Sequence, residues 1–190
     1  MKILALTLLA AGTAAFGAAA PSTWQIDPNH SAAQFAVRHL AVSTVRGEFG
    51  NVRGTIVFDD ADPSKGAIEA TIDAATVNTR VAGRDADLRG PGFFDVQNHP
   101  QITFRSTSVE PAGGNAFAVT GDLTIRGVTK RVTLKVDATP AVKDPKGNER
   151  RGAEATTTLS RKAFGVAADP GIVGDEVKVT IDLEAVRKPD

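Results

Sequence analysis

Apolar and polar residues alternate with a period of two along most of the chain after Trp24, as strands with one buried face require. From Ser31 to His39 the odd positions Ala33, Phe35 and Val37 are apolar, while Gln34 and Arg38 fall on the other face. Val52, Ile56 and Phe58 continue the pattern, with Val57 as an exception, and Ile68, Ala70 and Ile72 oppose Glu69, Thr71 and Asp73. Ile102 and Phe104 oppose Gln101, Thr103 and Arg105, and Phe117, Val119, Leu123 and Ile125 oppose Thr120, Asp122, Thr124 and Arg126. Val132, Leu134 and Val136, then Ala153, Ala155 and Leu159, then Val177, Val179, Ile181 and Leu183 complete the set. Turn residues separate these runs: Asp59 to Ser64, Gly113-Gly114-Asn115, Arg126-Gly127 and Asp144 to Asn148. The pattern predicts an all-β fold, an eight-stranded antiparallel up-and-down barrel whose closure removes exposed edges.

An eight-stranded barrel holds either its own side chains or one small ligand. Ala33, Gly54, Ala70, Gly121, Ala138, Ala153 and Ala155 are small and have inward parity, and the chain has one Trp and no Tyr. Small residues opposite Phe and Ile leave room for a tunnel, but they also serve where strands coil tightly or aromatic neighbours need space. Both readings follow from the pattern.

Residues 1–20 stand apart. Met1-Lys2, the apolar run Ile3 to Ala11 and the small residues Gly17 to Ala20 make up a signal peptide, with cleavage expected within 17–20. A retained anchor would need a longer apolar span. The expected mature domain, 21–190, is exported to the periplasm and suits one core. The absence of Cys excludes a lipid-modified cysteine anchor and leaves the domain to packing alone. Lys+Arg 22 against Asp+Glu 22 supplies no basic face for nucleic acid. There is no internal repeat or low-complexity tract.

Candidate chemistry is sparse. His30 and His39 have opposite parity on the first strand and His99 is remote, so the three are not expected to converge on a metal. No nucleophile-elbow pattern is present. The segment Asn78 to Gly90 breaks the alternation and predicts a short helix over Val81 to Leu88, with Arg84 and Leu88 on one face and Asp85 and Arg89 on a neighbouring one. One reading makes it a solvated lid with weak local ion pairs. The other makes it a mouth where Arg84 meets an anionic head while Leu88, Phe93 and Phe94 cover the opening.

The blocks WQIDPNHSAAQFAVRHL, RGEFGNVRGTIVFD, RDADLRGPGFFDVQNHPQITF, GDLTIRGVTK and SRKAFGV, in this order and spacing, resemble the YceI-like family of exported bacterial proteins across the whole mature region. The resemblance implies a lipocalin-like barrel without catalysis or cofactor. It implies a long-chain polyisoprenoid or an isoprenoid quinone as the bound ligand, for carriage, storage or stress protection. Carried onto this chain, the tail lies along Phe35, Val37, Ile56, Phe58, Ile68, Ile72, Phe104, Phe117, Val119, Leu123 and Ile181, with Leu88, Phe93 and Phe94 near the opening and Phe164 near the closing strand. Because a buried phosphate without a partner is costly, the head is expected at the rim beside His39, Arg84 or exposed backbone amides. Transient membrane contact and a monomer or homodimer fit this reading. The competing expectation is a packed barrel that acts as a stress-related interaction module without a lipid.

Overall fold

A computed structural model describes residues 21–59 and 61–187; the expected signal peptide lies outside the described residues. Eleven strands form one sheet: β1 (Ser22–Ile26), β2 (Ala32–His39), β3 (Ser43–Phe49), β4 (Arg53–Phe58), β5 (Ala67–Asp73), β6 (Gln101–Gly113), β7 (Ala116–Ile125), β8 (Val128–Ala138), β9 (Val142–Lys143), β10 (Glu149–Ser160) and β11 (Val173–Arg187). One α-helix, α1 (Ala82–Arg89), stands between β5 and β6. The strand pairs are antiparallel, and the ring β11-β1-β4-β5-β6-β7-β8-β10 closes on itself through β10–β11.

The ring has eight positions, as the alternation predicts, but two of them are composite. β1 and β2 lie end to end on one edge of β11: Gln25 and Ile26 face Val186 and Ala185, and Ala32 to His39 run on from Asp182 to Val173. The break at Asp27 to Ser31 holds Pro28, which cannot donate to a ladder. Ser31 replaces the lost backbone partner, its Oγ accepting from Glu184 N at 3.0 Å. β3 and β4 likewise share the next position, β3 pairing with β2 and β4 with β1. The outer edge of β3 is met by Asn78, which exchanges two 3.0 Å backbone hydrogen bonds with Glu48.

The alternation does not reveal β1, β3 or β9; β9 is only two residues long, and the other two are hidden for different reasons. Ser22, Trp24 and Ile26 of β1 are buried, but five residues before a proline are too few to show a period. In β3 the inward position between Val45 and Phe49 is Gly47, which dilutes the apolar pattern. Arg126 (φ 49°) and Gly127 (φ 72°) make the two-residue β7–β8 turn, whose left-handed residues match the twist of the hairpin.

Polar anchoring gathers at the strand break. Arg150 donates to Asp144 Oδ2 at 3.0 Å and Asp27 Oδ2 at 3.2 Å, and pairs with Glu184, tying the β9–β10 loop and the Asp27 break to β11. Hydrogen bonds from the Asn148 side chain, then from Arg150, hold the Asp144 carboxyl at about 2 against an ordinary 3.8. Asp27 is lowered as well, first by His30. Both carboxyls bind their protons more weakly when folded, so their stabilisation is present above 3.8 and is lost as pH falls towards about 2. Acid unfolding followed by circular dichroism is expected to show this loss across that window, with a shallower slope in Arg150→Met. Equal slopes would remove the cluster from the account.

Candidate ligand chamber

The inward faces of the strands do not meet. They enclose a chamber of about 210 Å³ whose wall comes from every strand of the closed ring and from β2 and β3. Apart from Gln34, Thr103, Thr157, Arg151 and two glycines, the lining is aliphatic or aromatic. A second chamber, about 120 Å³, lies at the α1 end beneath Leu88, Phe93, Phe94, Phe164 and Val166. An apolar cavity of roughly 150 Å³ in a protein core stays dry and takes benzene, so the larger chamber is big enough to hold an apolar group.

The small inward residues divide between the two roles open to them. Ala33, Ala70, Ala138, Ala153 and Ala155 line the larger chamber. Gly121 instead lies beneath an aromatic ring, since a Cβ there would stand 2.4 Å from Phe104 Cζ. Gly47 does the same for Phe35, at 2.5 Å from its Cζ. A side chain at either glycine would collide with the ring above it, so the glycines give these rings their room.

The α1 end is closed by polar staples. Thr79 donates from N and Oγ1 to Asp85 Oδ1, at 2.7 and 2.5 Å. Arg84 donates to Thr79 Oγ1 at 2.7 Å and Thr79 O at 2.9 Å, and Arg89 to Ala75 O at 2.8 Å and Val77 O at 2.7 Å. Asp85 is only 7% exposed, and hydrogen bonds from the Thr79 hydroxyl and then its backbone N–H, followed by the fields of Arg89 and Arg84, lower its pKa. Arg126 reaches from the β7–β8 turn to Pro91 O at 2.6 Å and also bonds Gly165 O. Arg161 is buried and spends its guanidinium on the carbonyls of Val166, Ala168, Val173 and Gly174, at 2.7 to 2.8 Å.

The residues assigned to a tail are brought together. Ile56, Phe58, Ile68, Ile72, Phe104, Phe117, Val119, Leu123 and Ile181 line the larger chamber, Val37, Leu88, Phe93, Phe94 and Phe164 the smaller, and Phe35 both. The two residues assigned to a head are not among them. Arg84 is turned onto Thr79, and His39 ends β2 opposite Ser43 and Val173, outside both linings. The helix runs one residue later than expected, and its charges fasten the segment before it instead of forming a solvated ion-pair lid. The histidines stand apart: His30 bonds Asp27 at 2.9 Å, and His99 packs at Gly127. Asp27, His30 and Glu184 come within 4.8 Å of one another, but Arg150 already sits between the two carboxylates.

Phe49 and Arg151 are among the lining residues that the alternation does not reveal. Phe49, 7% exposed, lies on β3, the strand whose pattern Gly47 blurs. Arg151 extends the inward parity of Ala153 and Ala155 by one step, a signal that its charge disguised. Its guanidinium lies 4.4 Å from the Phe58 ring centroid and 5.3 Å from that of Trp24, a geometry in which desolvated cation–π attraction is worth roughly 1–2 kcal/mol each.

The fold and the chamber define a class: closed antiparallel β-barrels with an apolar interior chamber. Within it, the chain belongs to the YceI-like domain family, whose match runs over residues 24–185. It is 37% identical over 187 residues to a UPF0312 protein of Pseudomonas aeruginosa, covering 96% of this chain and 97% of that one. It is 35% identical over 188 residues to a UPF0312 protein of Pectobacterium atrosepticum, covering 99% and 96%. Among solved structures, Burkholderia cenocepacia BcnA superposes with a TM-score of 0.76 at 28% identity, over 84% of this chain and 98% of that one. The Campylobacter jejuni YceI protein gives 0.71 at 30% identity, over 80% and 90%. A polyisoprenoid binding domain from Saccharophagus degradans shares the fold, with a TM-score of 0.66 at 15% identity over 87% and 98%.

Proposed function

We propose that this protein binds a long-chain polyisoprenoid or a similar amphipathic lipid in the barrel, and does so in the periplasm after residues 1–20 are removed. The observation that carries the reading is the chamber itself: an almost wholly apolar wall that leaves about 210 Å³ unfilled. A barrel kept only for its surface would gain by filling that space, because cavities cost stability in proportion to their volume. The fold shared with a polyisoprenoid binding domain supports the same choice.

The energetics favour a long tail. Each methylene taken out of water contributes roughly 0.8 kcal/mol, so a five-carbon isoprene unit supplies ~4 kcal/mol before its ordering cost. A polar head stays at an end of the barrel, since the wall offers few hydrogen-bond partners. The chamber wall carries one charged side chain, Arg151, and is otherwise suited to an apolar tail.

Organic extraction of protein purified from the periplasm, followed by mass spectrometry, is expected to yield a prenyl lipid in stoichiometric amount. A lipid-free extract, together with no uptake of added prenols, would overturn the reading.

A further inference from the structure

Phe35, Phe49, Ile102, Ile125, Leu159 and Val179 line both chambers, so the two spaces adjoin at one ring of side chains. Aromatic contacts occupy that ring. The Phe49 centroid lies 5.6 Å from Phe35 in a tilted pair and 5.1 Å from Phe94 in an edge-to-face pair, with Phe94 belonging to the segment after α1. Phe35 is seated on Gly47, its cross-strand partner, where a Cβ would stand 2.5 Å from the ring. Phe49 has no such seat and bridges from Phe35 to Phe94.

Capacity turns this junction into a selector. If a 150 Å³ cavity takes the six carbons of benzene, a chamber of about 210 Å³ takes about eight carbons, a little under two isoprene units. By the same scale the 120 Å³ chamber takes about five carbons. A longer tail exceeds the larger chamber, and where it continues towards α1 it passes the junction, at which Phe49 lines both spaces.

We propose that the Phe35–Phe49–Phe94 junction sets the chain length this protein prefers, with Phe49 the ring displaced by tails longer than about two isoprene units. This rests on the lipid-binding reading above. Short tails leave the aromatic contacts intact. Long ones lose them and recover the loss by occupying the space beneath α1. Two substitutions move the bore in opposite directions. Phe49→Ala joins the chambers, and Gly47→Ala narrows the passage, because the new Cβ would stand 2.5 Å from Phe35 Cζ and 2.7 Å from Thr79 Cγ2 and press both inward.

The test measures affinities for geraniol, geranylgeraniol and solanesol by native mass spectrometry with wild type, Phe49→Ala, Phe49→Leu and Gly47→Ala, the milder Phe49→Leu guarding against a variant that does not fold. The ratio of geranylgeraniol to geraniol affinity is expected to rise about tenfold in Phe49→Ala, to rise less in Phe49→Leu and to fall in Gly47→Ala. Binding of the panel with this ratio unchanged in all variants overturns the junction while leaving the lipid-binding reading in place. Failure of wild type to bind any of the three prenols overturns both.

Discussion

Ala153→Phe is expected to weaken lipid binding about a hundredfold while leaving the barrel as stable as before, or more so. Ala153 lines the larger chamber on β10, with Ala138 and Leu183 as its cross-strand neighbours, so a benzyl group placed there projects into vacant space beside a second alanine. Burying a Phe side chain contributes roughly 1.5–3 kcal/mol, and in a void this gain is not offset by displaced neighbours. In a filled core the same change would cost about 1–3 kcal/mol through overpacking. The sign of the stability change therefore separates a chamber from a packed interior. Affinity for a prenol should drop by about a hundredfold, since the tail and the new ring compete for one volume. Thermal unfolding and prenol binding on the same variant decide the matter. A destabilised Ala153→Phe that still binds lipid would contradict the chamber.

That variant could be chosen because Ala153 shows its inward parity in the sequence, and the same parity identifies most of the wall. A period of two needs only the strand itself, so Phe104, Val119 and Ile181 could be placed from sequence alone. Phe49 could not. Its strand carries Gly47 where an apolar residue would reveal the pattern, and the reason for that glycine, the Phe35 ring lying on it, exists only once β2 and β3 are in register. Arg151 had the right parity and the wrong chemistry: a cation on an apolar face makes sense only when Trp24 and Phe58, far away in sequence, bring their ring faces to it. The arginines at the mouth taught the opposite lesson. Arg84 looked available to a ligand because sequence spacing shows which groups are charged and not which carbonyls need donors. The Ala75 to Thr79 segment meets the sheet at Asn78, and the carbonyls of Ala75, Val77 and Thr79 are satisfied by the arginines of α1.

Gly54→Ala is expected to destabilise the barrel by about 4 kcal/mol or more, among the largest effects a single methyl can have here. Gly54 sits in β4 at φ 152°, where side chains are strained, and its partner Ala70 on β5 lies so close that an added Cβ would stand 1.9 Å from Glu69 O and 2.8 Å from Ala70 Cα. Both obstacles are backbone, so no rotamer change relieves them, and separating the strands breaks the β4–β5 ladder. The closed ring makes the damage general, because a barrel opened at one pair exposes two edges and the apolar chamber wall together. Gly50→Ala is the control: no atom lies within 4 Å of its Cβ, and it should change stability by about 0.5 kcal/mol or less. Urea unfolding of the two variants beside wild type provides the comparison. If Gly54→Ala unfolds within about 1 kcal/mol of wild type, the close approach of β4 and β5 is not what holds this side of the chamber together.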